Sequence, residues 1–356
     1  MVMDDALIAA TAILQPSNGA VRTTIAGDAD SIGFLSFGYI DSSVKALSID
    51  GVAGTVTNAL IGSYPIVRPL LLLTKGQPTG EVKAFLDYCL GPDGQAIVEG
   101  EGYIAVGPTV EMKGEITEAG STTVQPVAES LAAAFMDKYP QVNVVIQGGG
   151  SSVGVKSANE GTVNIGAASR NLKSSEIEWG VVPHVLAKDG IAIVTHPNNS
   201  VTSLTKQQVV EIYNGTITNW SEVGGADAEI SVVSREEGSG TRAAFEEMVM
   251  DEELITDTAI LQPSNGAVRT TVAGAANAIG FLSFGYIDSS VKALAIDGVA
   301  ATVENALNGT YPIVRPLLFV TMGQPEGLAK EFIYYCLSAE GQKIVAEDYI
   351  PVISID

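Results

Sequence analysis

The chain has 356 residues, 46% of them hydrophobic, and a formal net charge of −22, so it can bury one large core or two moderate ones. Such an acidic surface excludes the basic footprint of a nucleic-acid partner. An anionic ligand must instead be held by N–H and O–H donors in a recessed site, against an unfavourable overall field.

Taken in order, the chain opens with the first copy of a long internal repeat. Residues 1–98 match residues 248–345 at a constant offset, with roughly three positions in four identical. Leu-Gln-Pro-Ser-Asn-Gly-Ala-Val-Arg-Thr-Thr stands at 14–24 and again at 261–271. Gly-Phe-Leu-Ser-Phe-Gly-Tyr-Ile-Asp recurs at 33–41 and 280–288, and Tyr-Pro-Ile-Val-Arg-Pro-Leu-Leu at 64–71 and 311–318. A one-residue shift then aligns Tyr103-Ile104 with Tyr349-Ile350. The unit is too long for a solenoid repeat and reads as tandem duplication of a domain whose upstream copy is truncated. The opening Met1-Val2-Met3-Asp4 matches the middle of a later helix and has no signal-peptide pattern, so the start is expected to lie inside a domain. Cys89 and Cys336 occupy the same position in the two copies and are not expected to pair. His184 and His196 lack partners at metal-ligand spacing, and no run of about 20 apolar residues offers a membrane span.

The junction falls near residues 106–118, and the segment beyond it has no upstream counterpart. Residues 116–119 read as a short strand; Val127, Leu131 and Phe135 recur every four positions as a helix face that Tyr139-Pro140 stops. Val142, Val144 and Ile146 alternate as a strand, a helix-like stretch runs through Ala158, and residues 164–170 form a strand leading into a turn. Residues 191–195 are a buried-strand candidate, His196 to Ser200 marks a crossover, and Thr205 is placed to cap a helix carrying Val209, Val210, Ile212 and Tyr213. After the loop at 235–241 come a strand at 279–287, an apolar run at 313–321, and helices at 328–337 and 339–346. Strands alternating with helices give an α/β class with largely parallel sheets.

Three loops share one chemistry: Gly120-Ser121-Thr122-Thr123, Gly148 to Ser152, and Arg235 to Thr241. Each joins small residues and hydroxyls to a helix start, where unpaired N–H groups and the helix dipole favour an anion. Taken singly, such turns are common structural punctuation. Three of them at one carboxyl edge of an α/β sheet, with Arg235 offering a guanidinium of fixed geometry, form a tetrahedral-oxyanion clamp. Neutral hydrogen bonds of about 1 kcal/mol and charge-assisted ones of roughly 1.5–3 kcal/mol together reach the ~8 kcal/mol of micromolar affinity.

Catalytic patterns fit less well. Gly149 to Gly154 is followed by Val155-Lys156-Ser157, one residue away from a Walker loop, and Gly238-Ser239-Gly240 is not a nucleophile elbow. Glu236 and Glu237 are either a solvated pair or, for Glu237 above all, an acceptor for the proton of monohydrogen phosphate. Trp179 and Trp220 read as packing.

These residues resemble the phosphate-binding protein of ABC-type phosphate importers, a two-lobed periplasmic-binding-protein-like fold of type II. The resemblance covers residues 114–356 and rests on Gly120-Ser-Thr-Thr-Val-Gln-Pro, Gly148-Gly-Gly-Ser-Ser-Val-Gly-Val-Lys, Ile165-Gly-Ala-Ala-Ser-Arg, Thr216 to Gly225, and Arg235 to Thr241. It implies ligand donors at Thr122, Thr123, Ser151 and Ser152, joined by Arg235, Ser239, Gly240 and Thr241. Glu237 stands where the family often has an aspartate that positions the arginine. Ser169 and Arg170 occupy a turn where some members place a proton-accepting aspartate, and both join the candidate set. The domains implied are a partial upstream copy at 1–109 without anion loops, a junction with the first strand at 110–119, and a complete binding domain at 114–356. Lobe I would comprise 114–196 and 315–356, and lobe II 197–314, with crossings near His196-Pro197 and residues 311–316. The implied function is a non-enzymatic, extracytoplasmic (periplasmic or cell-surface) receptor for inorganic phosphate, without cofactor or metal, that docks on an ABC permease. The residues leave open a receptor for sulfate, molybdate or tungstate, a phosphate-ester-processing enzyme, and a tandem-domain phosphate sensor. One N-terminal half, 114–247, faces two candidate C-terminal halves, 248–356 in conventional order, which is favoured, or 1–109 in a circular permutation. The spare half is expected to swap, self-associate or be poorly ordered.

Overall fold

The computed structural model describes residues 7–60, 63–251 and 253–353; the expected helical match of Met1-Val2-Met3-Asp4 lies outside them. The chain divides into two units, Met1–Met112 and Lys113–Asp356.

In the first unit the described residues form helices α1 (Asn18–Gly27), α2 (Val56–Leu60), α3 (Gly80–Leu90) and α4 (Pro92–Gly100), and no strand. Local signals mark α1 and α4. Ser17 caps α1 by accepting a bond from the Ala20 N–H, Pro92 opens α4, and Gln95 spans from the Cys89 carbonyl to the Val106 N–H.

The second unit alternates strands and helices. Its N-terminal half carries β1 (Gly114–Gly120), α5 (Gln125–Lys138), β2 (Val142–Gly148), α6 (Ser151–Asn159), β3 (Ile165–Ala168), α7 (Ser174–Glu178), β4 (Val181–Thr195), β5 (Ser203–Leu204), α8 (Lys206–Tyr213), β6 (Ser231–Arg235) and α9 (Gly240–Phe245). The repeated half adds β7 (Ile260–Gln262), α10 (Asn265–Gly274), β8 (Ala278–Ser283), β9 (Lys292–Ala293), β10 (Ala295–Ile296), α11 (Val303–Leu307), β11 (Val314–Met322), α12 (Gly327–Leu337), α13 (Ala339–Val345) and β12 (Ile350–Pro351). Thr205 caps α8 through the Gln208 N–H, as its position predicts.

The main sheet runs β2-β1-β3-β11-β4-β8-β6-β7. Its flanks, β2-β1-β3 and β8-β6-β7, are parallel, whereas the centre around β11 and β4 is antiparallel. The expectation of largely parallel sheets therefore holds for the flanks alone. Strand β4 is much longer than the buried run at 191–195. Its first part pairs with β11, and Ile191–Thr195 pair with β8, so the change of partners falls beside Gly190, ahead of His196-Pro197. The strand expected at 279–287 ends at Ser283, because the Phe284 N–H turns to donate to the buried Asp189 carboxylate.

The unit has two cores. Phe245 of α9 stacks on Phe281 of β8, with Tyr213 tilted against both, while Phe135, Phe319 and Phe332 pack where α5 and α12 cover β11. Gly154 lets α6 lie directly on β1 and β3, since a Cβ there would meet the Ala167 carbonyl at 2.5 Å. That is the physical use of the near-Walker glycine. Cys336 is buried and Cys89 half-buried, and neither is bonded.

Glu118 of β1 is buried, one of its carboxyl oxygens has no hydrogen-bond partner, and burial with Glu129 nearby pushes its pKa up to about 8 from 4.5. The folded state then holds a proton that the unfolded chain releases. The associated stability is complete below about pH 4.5 and is lost as pH rises through 8. Glu118→Gln should raise the thermal midpoint of this unit by several degrees at pH 9 and leave it nearly unchanged at pH 5. Equal shifts at both pH values would contradict the assignment.

Candidate functional site

The carboxyl ends of β1, β2, β3 and β6 each deliver a loop to the same place, as the parallel flanks require. Thr123, after β1, lies 3.1 Å from Thr241 at the start of α9, oxygen to oxygen. The Ser152 N–H donates to the Gly238 carbonyl at 3.2 Å. The Arg235 Nη2 approaches Thr122 Oγ1 at 3.4 Å, and the Tyr286 hydroxyl donates to the Thr122 carbonyl. Loops from the two flanks therefore meet directly. Thr123, Ser151, Ser169, Arg235, Ser239, Gly240 and Thr241 are all buried there.

The hydroxyls are oriented by a second arginine, one that no sequence motif singles out. Arg315 of β11 is buried and bound to Asp189 through Nε at 3.0 Å and Nη2 at 2.8 Å. Its remaining N–H groups reach Thr123 Oγ1 at 3.2 Å, Ser169 Oγ at 3.3 Å and the Ser169 carbonyl at 3.1 Å. Asn265 Nδ2 also donates to Thr123 Oγ1, at 2.8 Å. A hydroxyl has one hydrogen to give. With acceptor capacity already used by Arg315 and Asn265, Thr123 points its hydrogen away from them, into the space beside Thr241 where an ion could receive it. Ser151 Oγ likewise accepts from the Ser169 N–H and keeps its hydrogen for another partner.

Full burial pushes the Asp189 carboxyl up, opposed by Arg315, Ser283 and the Phe284 N–H. Every one of those contacts donates to it, so the site is built for the carboxylate. Arg235 donates to the carbonyls of Gln262 and Pro263. Among the described residues its Nη1 is one of four buried side-chain polar atoms without a hydrogen-bond partner. Burial and the like charge of Arg315 lower its pKa to about 10, which leaves it charged at neutral pH.

Two candidates sit elsewhere than expected. Glu237 is exposed, as is Glu236, because the turn through Gly238 faces its carboxylates outward; neither is placed to accept a proton from a ligand in the cage. Arg170 is buried but committed to Glu176, with both Nη atoms at 2.8 Å from its carboxylate, and to the Asn171 carbonyl. It braces the loop, touching Ser152 Oγ at 3.4 Å. The missed residues left faint signals: Arg315 interrupts an apolar run, and Asp189 precedes one, and a charge so placed is buried only with a partner.

A family model described as PBP superfamily domain matches residues 107–340. Phosphate-binding protein PstS of Bacillus subtilis is 36% identical over 244 residues, covering 67% of this chain and 81% of that protein. Phosphate-binding protein PstS 2 of Streptococcus agalactiae serotype V is 40% identical over 213 residues, covering 58% and 73%. Among solved structures, a phosphate ABC transporter substrate-binding protein of Clostridium perfringens with bound phosphate is 46% identical, with a TM-score of 0.66, covering 68% of this chain and 100% of that one. An ABC-type phosphate transport receptor of Vibrio cholerae is 37% identical, with a TM-score of 0.58, covering 67% and 100%.

Proposed function

The chain belongs to the PBP superfamily, among the phosphate-binding proteins of ABC importers, and from that premise we propose how it holds the ion. Phosphate sits where the β1, β2, β3 and β6 loops converge. It takes donors from Thr123, Ser151, Ser169, Thr241 and the first N–H groups of α9, and a charge-assisted bond from Arg235 Nη1. The observation that carries this reading is that buried, unpartnered Nη1, at the point where hydroxyls from both lobes meet. Arg315 and Asn265 act through the hydroxyls they polarise.

Recognition is by dipoles and one guanidinium, which suits a receptor: the ion is stripped of water on closure and released intact on opening. No nucleophile, metal or cofactor enters this reading, and the protein is proposed to bind without catalysis. The proposed boundaries are those of the resemblance, with 114–356 as the binding domain and 1–109 lacking the anion loops. Among the described residues no helix is long and apolar enough to cross a membrane. Separately, from its likeness to the phosphate-binding proteins, we propose that the protein works outside the cytoplasm and docks on a membrane permease.

Isothermal titration should give micromolar or tighter binding of inorganic phosphate and at least tenfold weaker binding of sulfate. Tighter binding of sulfate would assign the site to another tetrahedral oxyanion.

A further inference from the structure

The two copies of the repeat share most of their sequence, and among the described residues their secondary structure differs in the strands, while equivalent helices differ in burial, Phe85 being exposed where Phe332 is buried. Helices α10, α12 and α13 have counterparts in α1, α3 and α4. Local contacts are reproduced as well: Asn18 Oδ1 accepts from the Ser36 N–H as Asn265 Oδ1 does from Ser283, and Arg22 pairs with Asp41 as Arg269 does with Asp288, both at 2.9 Å. The segments equivalent to β8 and β11 form no strand in the first unit. Ile32 and Phe34 are each 81% exposed where Ile279 and Phe281 are fully buried, and Leu73 is 87% exposed where Val320 is fully buried. A helix satisfies its own backbone; a strand needs a neighbour. The neighbours of β7, β8 and β11 are β3, β4 and β6, all contributed by residues 113–247, and one chain has one such set.

The first unit also repeats the chemistry. The residues that the 248–356 half brings to the site are Asn265, Ser283, Tyr286, Arg315 and Tyr349, whose hydroxyl donates to the Thr123 carbonyl; they correspond to Asn18, Ser36, Tyr39, Arg68 and Tyr103.

We propose that Met1–Met112 is a spare, site-competent half that seats on the 113–247 half of a second copy of this chain, where Arg68 takes the place of Arg315. The phosphate readout of this proposal rests on the function given above, while the pairing itself does not. Each chain holds one 113–247 half and two halves able to complete it, so exchange keeps the number of completed sheets constant. The β11 core is preserved, since Leu72 and Leu73 replace Phe319 and Val320 with residues that are still apolar.

Two measurements on the full chain test this. Leu318 faces Ala168 in the β11–β3 register, and Leu71 is its repeat counterpart. A Leu71→Cys/Ala168→Cys chain should therefore form an interchain disulfide under mild oxidation, whereas either single variant should not. In phosphate titrations, Arg315→Ala should keep a substoichiometric set of sites with near wild-type affinity, and the oligomer carrying them should grow with protein concentration. Arg68→Ala/Arg315→Ala should lose those sites, with affinity down by about 100-fold. Absence of the interchain disulfide, a purely intrachain one, or an Arg315→Ala chain no better than the double variant would overturn the proposal. A crosslink in the Leu71→Cys/Ala168→Cys chain, together with a wild-type chain that ignores phosphate, would overturn the ligand and leave the exchange established.

Discussion

Arg235→Ala should weaken inorganic phosphate binding by about 100-fold or more, the loss expected when a charge-assisted bond and its neighbours' geometry go together. The Nη1 group is buried without a partner, so the cost of its desolvation is met on folding and, in the proposed site, would be offset by the ion. Alanine removes that donor, and the neighbouring arginines, Arg315 and Arg170, are already bound to Asp189 and Glu176. The repeat cannot compensate, because Arg235 lies upstream of residue 248 and has one copy. Arg235→Lys should recover a fraction only, since an ammonium cannot hold the Gln262 and Pro263 carbonyls and reach the ion as a fork does. Titration calorimetry on chains with unchanged far-ultraviolet circular dichroism would measure this. An affinity within threefold of wild type would remove Arg235 from the site.

Gly240→Ala should cost a comparable factor, roughly 100-fold, by a different route. A Cβ at Gly240 would overlap Ser151 Oγ and stand 2.6 Å from Ser169 Oγ. Both serines belong to the β1–β3 flank, whereas Gly240 opens α9 on the β6 flank. Alanine is a better helix residue than glycine, so the local fold tolerates the change and the methyl group acts as a wedge between the lobes. The expected signature is a native melting midpoint with weak binding, because the hydroxyls of one lobe can no longer reach an ion held by the other. Unchanged affinity would mean that the loops close differently around the ligand.

The two substitutions separate charge from closure. Arg235 tests the one unsatisfied donor of the cage, and Gly240 tests the approach of two flanks joined through β4 and β11. A site made of dipoles needs both, because each hydroxyl contributes only about 1 kcal/mol and the sum depends on all of them arriving together.

By itself the sequence determined the α/β class, the helix caps, the repeat and the three hydroxyl-rich turns, because caps, turns and periodic faces are written in residues a few positions apart. It pointed to Arg235, Ser239 and Thr241 for the same reason. Tertiary structure alone decided that Glu237 faces outward, that Arg170 is spent on Glu176, and that Arg315, bound to Asp189, polarises Thr123 and Ser169 across more than a hundred residues of chain. It also decided that one stretch of near-identical sequence is a buried strand at 314–322 and an exposed, unpaired segment at 67–75. Strand pairing and buried charge both depend on partners distant in sequence, and a local pattern cannot say whether those partners are present.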